Sequence, residues 1–125
     1  MGKTKKFTLG SRVNSFKYAL KGVVQFFNTE HNAFLHFLST IAVIVLSILV
    51  EVSKTEAILL IFAIALVWIS EIFNTCIEKS LDFVSEAYDT RIKNIKDMAA
   101  GAVLISALSA LAVGLIVFIP KIFNV

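Results

Sequence analysis

Three stretches of this chain, Ala33 to Val50, Ala57 to Ser70 and Met98 to Ile119, contain no lysine, arginine, aspartate or glutamate. A helix needs about 20 residues, at 1.5 Å each, to cross the hydrocarbon of a bilayer. The first and third runs meet that length. The second is too short, so its helix has to continue into Glu71-Ile-Phe-Asn-Thr-Cys-Ile-Glu78 and beyond. The pattern predicts an all-α membrane protein with three transmembrane helices, at about 33–52, 56–82 and 98–119, the middle one acidic through its C-terminal half. Pro120, directly after the third run, is expected to end it.

Composition agrees with a bilayer as solvent. The chain is 58% hydrophobic and only 17% charged, too little charge to coat a soluble globule of 125 residues. Its single cysteine, Cys76, excludes a disulfide scaffold. One domain over residues 1–125 is the natural count at this length. The first apolar run reads poorly as a secretory signal, because a long basic segment precedes it and no small-residue cleavage motif follows.

Charge placement orients the helices. Residues 1–30 hold Lys3, Lys5, Lys6, Arg12, Lys17 and Lys21 against the single acid Glu30, and the 78–97 stretch holds Lys79, Arg91, Lys93 and Lys96. The loop between the first two apolar helices has one lysine and two acids. By the positive-inside rule the N-terminus and the 78–97 loop are expected in the cytoplasm and the C-terminus outside. Within the N-terminal region, residues 1–31, Phe16, Leu20, Val23, Val24 and Phe27 recur at helical spacing, with Lys17 and Lys21 on another face. That is the pattern of an amphipathic helix lying in the headgroup layer, unless the segment is only a basic topology signal.

Chemistry concentrates in a few positions. Glu71, Asn74, Glu78 and Asp82, spaced by three, four and four residues, fall on one stripe of a helix. A carboxylate at membrane depth costs at least a few kcal/mol and points to function. If the helix had already left the bilayer, the acids would simply face water, a reading that suits Asp82 well, Glu78 partly and Glu71 poorly. Glu30 precedes the first membrane helix at the same cytoplasmic level as Glu78, so the two are candidates for one cation. Carboxylate oxygens completed by phosphate oxygens describe Mg²⁺. Lys96 could hold a phosphate as a point charge, and its neighbour Asp97 could cap the last helix. His36 suits interhelical hydrogen bonding, Cys76 and Trp68 suit packing, and the small residues around Gly101 and at Ala110-x-x-x-Gly114 suit close helix approach. The chain has neither a Walker loop, a GxGxxG turn nor a nucleophile elbow.

These residues resemble the small integral-membrane diacylglycerol kinases of bacteria, a family that includes the undecaprenol kinases. The likeness rests on Glu71-x-x-Asn74-x-x-x-Glu78-x-x-x-Asp82, on Lys96-Asp97-Met98 fourteen residues later, on Lys17-Tyr18-Ala19-x-x-Gly22 and on Glu30-x-Asn32-x-x-x-His36. It implies ATP- and Mg²⁺-dependent phosphorylation of a membrane lipid alcohol, diacylglycerol or undecaprenol, by a homotrimer with shared active sites in the bacterial inner membrane. By the same resemblance Glu71 looks like the general base, and Glu30 and Glu78 like the metal ligands. Lys96 would take ATP phosphate, Asp97 the nucleoside, and Tyr18 and Asn74 would complete the pocket. Glu86 or Ala87, with Tyr88 and Asp89, falls where the family touches adenine. Arg12 is similar to an N-terminal arginine that contacts nucleotide or lipid. No nucleic-acid partner is expected. The rival reading is a non-enzymatic membrane subunit, a pore or assembly factor, with an acidic path between its helices.

Overall fold

Among the described residues, the segments between helices are short and their ends are hydrogen-bonded as helix caps. A computed structural model describes residues 8–124 as four helices: α1 (Leu9–Thr29), α2 (His31–Leu49), α3 (Lys54–Val84) and α4 (Thr90–Phe123). Lys3, Lys5 and Lys6 lie outside the described residues. The chain divides into two units, Met1–Leu38 and Ser39–Val125.

In the first unit, α1 opens on a capping box. The Thr8 side chain accepts from the Ser11 amide at 3.2 Å, and the Thr8 amide donates back to the Ser11 hydroxyl at 3.4 Å. Along α1 the apolar positions Phe16, Leu20, Val23 and Val24 stay exposed, as does Tyr18. This amphipathic helix therefore keeps its apolar stripe for surroundings other than its own unit. Phe27 meets Phe26 and Phe37 edge-on, with centroids 6.4 and 5.9 Å apart. Glu30 alone separates α1 from α2. Its backbone is extended, its N–H bonds the Phe26 carbonyl at 3.0 Å, and its own carbonyl accepts from Ala33 at 3.1 Å.

In the second unit, α3 and α4 pack against each other along their length. Leu60, Val117 and Phe118 form the buried centre, with Val43, Leu46, Val50, Val52 and Val113 against it. Most other large apolar side chains are exposed. In water that would be untenable; in lipid, which is as apolar as leucine, it is ordinary. Polar links tie the helices inside the apolar zone: Ser70 and Ser106 hydroxyls meet at 2.6 Å between α3 and α4, and Trp68 Nε1 donates to Thr40 Oγ1 at 3.1 Å between α3 and α2. Bonds of this class contribute about 0.6 kcal/mol each in a membrane. The turn into α3 uses Glu51 at φ 51° and a second capping box, Ser53 with Glu56. The α2, α3 and α4 helices are each long and apolar enough to cross a membrane.

Three expectations need correction. The last helix runs through Pro120 to Phe123 and ends on Asn124 in the left-handed region, because the proline sits in the final turn and removes only one backbone bond. The same helix begins at Thr90, where Asp89 caps it, so Asp97 lies two turns inside α4 and caps nothing. Gly101 and Gly114 do not serve close approach inside this chain, since a Cβ on either would meet no atom within 4 Å. Ala99, by contrast, is buried.

Candidate functional site

At about 1.5 Å per residue, the 31 residues of α3 and 34 of α4 measure about 46 and 51 Å, against a hydrocarbon thickness of about 30 Å. Each helix must therefore project beyond the bilayer, and the polar residues mark the end that does. On α3 the acidic stripe is graded. Glu71 is 8% exposed, Asn74 and Glu78 are half-buried, and the Asp82 side chain is 61% exposed. The stripe thus runs from a buried carboxylate to a solvated one over three helical turns, and simple exposure to water does not account for Glu71.

Within the stripe, Asn74 Nδ2 donates to Glu78 Oε1 at 3.2 Å. The bond fixes one oxygen of Glu78 and leaves Oε2 outside that pair. Asn74 Oδ1 is buried and has no hydrogen-bond partner. A buried acceptor left unpaired costs roughly 1–3 kcal/mol, and such an atom is suited to the donor of a ligand or of another chain.

Across from the stripe, α4 supplies cations. Lys96 Nζ bonds Asp82 Oδ1 at 2.6 Å, joining the two helices. Lys93 pairs with Asp97 one turn further along, at i,i+4 spacing. The α3–α4 connection holds Glu86, Ala87 and Tyr88 exposed, with the Ala87 amide bonded to Ser85 Oγ at 3.1 Å. Asp89 accepts from the Arg91 amide at 2.8 Å and from the Arg91 guanidinium at 2.8 and 3.2 Å. The Arg91 guanidinium beside it, helped by the backbone bond, holds the Asp89 carboxyl below the usual carboxylate range. Asp89 is therefore engaged in starting α4.

The first unit holds the other residues singled out from the sequence. Arg12 and Tyr18 are exposed on α1, and Glu30 sits at the α1–α2 joint, where Thr29 Oγ1 donates to Glu30 Oε1 at 3.3 Å. Among the described residues no group of three or more His, Cys, Asp or Glu side chains is disposed around one metal position. The donors still suit Mg²⁺, which takes one or two carboxylates and completes its octahedron with water and substrate phosphate.

Sequence reasoning missed the partners rather than the stripe. Lys93 was readable from its i,i+4 spacing to Asp97, and Arg91 from its place two residues after the capping acid. The pairing of Asp82 with Lys96 had no local signal, because it crosses between helices. Of the bystanders, Trp68 is half-buried and bonded to Thr40, in keeping with packing, while Cys76 is exposed rather than part of the buried core.

Residues 17–118 match the family described as prokaryotic diacylglycerol kinase. An undecaprenol kinase of Bacillus subtilis strain 168 is 33% identical over 108 residues, covering 86% of this chain and 88% of the relative. A diacylglycerol kinase of Synechocystis is 35% identical over 111 residues, covering 88% of this chain and 63% of the relative. The match extends from α1 to the last turns of α4 and takes in the acidic stripe, the joint at Glu30 and the Lys96–Asp97 pair: the chain belongs to the prokaryotic diacylglycerol kinase family.

Proposed function

We propose that this lipid kinase transfers the γ-phosphoryl group of ATP to the hydroxyl of a membrane lipid alcohol, diacylglycerol or undecaprenol. The observation that carries the reading is the graded stripe, a buried carboxylate directly after the uncharged run of α3, leading to an acid paired with a lysine on the neighbouring helix. Phosphoryl transfer asks for positioning and charge neutralisation more than for covalent chemistry.

In this mechanism the lipid hydroxyl arrives at Glu71, the deepest acid. The Glu71 carboxylate accepts its proton as the oxygen attacks the γ-phosphorus, and ADP leaves with the bridging oxygen. Lys96 carries positive charge to the phosphate oxygens. Glu78 and Glu30 are assigned as Mg²⁺ ligands, Asn74 holding Glu78 by its amide. A cation held there would supply charge neutralisation at the phosphates. Asp97, Glu86, Ala87, Tyr88 and Asp89 are assigned to the nucleoside side, and Arg12 and Tyr18 to further contacts with the nucleotide or lipid. Tyr88, 81% exposed, is free to stack on a base.

The assembly is a homotrimer with active sites shared between copies, embedded in the inner membrane with its N-terminus in the cytoplasm and its C-terminus outside. The outward-facing Gly101 and Gly114 support an assembly, because they leave room for another helix that this chain does not fill. The Glu30-x-Asn32-x-x-x-His36 run favours undecaprenol over diacylglycerol. Incubating the purified protein with ATP, Mg²⁺ and each lipid side by side tests the reading. Phosphate should appear on a lipid alcohol, and on undecaprenol faster than on diacylglycerol. Transfer to neither would refute the kinase assignment and leave the pore or assembly subunit.

A further inference from the structure

We infer that Asp82 is a positioning residue, which holds the Lys96 ammonium in place for the transferred phosphate. The inference rests on the reading of Lys96 as the phosphate-binding cation. Lys96 Nζ lies 2.6 Å from Asp82 Oδ1, a charge-assisted bond between the last turn of α3 and the second turn of α4. The cation is the more enclosed partner, with its side chain 34% exposed against 61% for the acid. The contact is therefore a property of where the lysine sits, not a loose encounter of two solvated tips.

The acid is also badly placed for its own helix. Asp82 stands in the last turn of α3, which has no base there, and the unpaired carbonyls of a helix C-terminus repel an anion. Stability of α3 alone gives no reason for a carboxylate at this position. A partner across the gap does. Lysine has three N–H donors on a flexible four-carbon stem; the Asp82 bond uses one and leaves two for phosphate oxygens. Holding the stem before substrate arrives removes rotamer entropy that binding would otherwise have to remove.

The opposite end of the same two helices supplies the control. Lys121 Nζ lies 3.1 Å from Glu56 Oε2, another α3–α4 ion pair. There the acid belongs to the capping box at the N-terminus of α3, where a negative charge is favoured, so helix structure accounts for it fully.

The test compares Asp82→Ala, Asp82→Asn, Lys96→Met and Lys121→Met in the full chain in lipid-containing micelles, reading kcat, the KM values for ATP and lipid, and the thermal unfolding midpoint. Asp82→Ala should lower kcat about tenfold, a share of what one preorganised charge supplies, with the lipid KM within about twofold of normal. Its unfolding midpoint should match that of Lys121→Met, which keeps normal turnover. Asp82→Asn, which retains an acceptor oxygen, should recover part of the loss. The inference is overturned if Asp82→Ala turns over within about twofold of the unaltered chain. It is equally overturned if the loss tracks a fall in the unfolding midpoint larger than that of Lys121→Met, as a merely structural pair would give. Lys96→Met separates the two readings: normal turnover there removes the phosphate role and the inference with it. An inactive Lys96→Met beside an active Asp82→Ala removes only the inference.

Discussion

Among single residues, burial sorts carboxylates that the sequence presents as equals. Glu71, Glu78 and Asp82 are chemically alike and share one helical stripe, yet of the three only Glu71 is buried, while Glu78 accepts from the Asn74 amide, which fixes one of its oxygens. The proposed division of labour, base at depth and metal ligand nearer water, follows that gradient. Removing the Glu78 carboxylate should therefore act on the metal: Glu78→Ala is expected to raise the Mg²⁺ concentration for half-maximal turnover by about tenfold or more, the usual scale for losing a ligand's support. A Mg²⁺ titration superimposable on that of the unaltered protein would count against the ligand assignment. The stripe itself was legible from spacing alone, because helical periodicity fixes which side chains share a face. Lys96 and Asp82 were each legible, but their pairing was not, since fourteen residues and a turn separate them and only the packing of α3 on α4 brings them together.

Among the helices, hydropathy reports where lipid is and capping chemistry reports where a helix begins. The two differ most at α4. Its apolar run starts at Met98, whereas the helix starts at Thr90, because Asp89 offers its carboxylate to the Arg91 amide and the charged first two turns need no lipid to be helical. The Asp89-Thr90 signal was present in the sequence but was overshadowed by the run behind it. Pro120 shows the converse: a helix breaker on paper, it is tolerated where few backbone bonds remain to lose. The Asp89 cap is also pH-dependent. Its folded pKa lies below the ordinary carboxylate value, so its stabilising effect is full above that ordinary value and is lost as pH falls through the lowered folded one. Amide exchange in the first turn of α4, corrected for the intrinsic pH dependence of exchange, should show unchanged protection at neutral pH and loss of protection only in strong acid. In Asp89→Asn that acid-dependent step should disappear; a step of the same size in the variant would show that another group is responsible.

For the whole molecule, the small buried core and the many exposed apolar side chains say that this chain is finished by its surroundings. Three spans were legible because uncharged runs of this length have few alternatives in water. How many copies assemble was not legible, since small residues permit close approach without counting partners. Gly114 gives a direct handle: a Cβ there meets no atom within 4 Å in its own chain, so Gly114→Ala should leave the single chain folded. If that face packs against another copy in the proposed trimer, the variant should shift towards single chains by light scattering in mild detergent, and an assembly of unchanged mass would place the contact elsewhere. What unifies these scales is the claim that the buried end of the stripe is where phosphate reaches the lipid. The measurement that tests it most directly is turnover by Glu71→Gln, which keeps size and hydrogen bonding but removes the proton acceptor. ATP binding should remain near normal while transfer to the lipid alcohol falls by at least about a hundredfold, the lower range for loss of a general base. Near-normal transfer by Glu71→Gln would contradict the account.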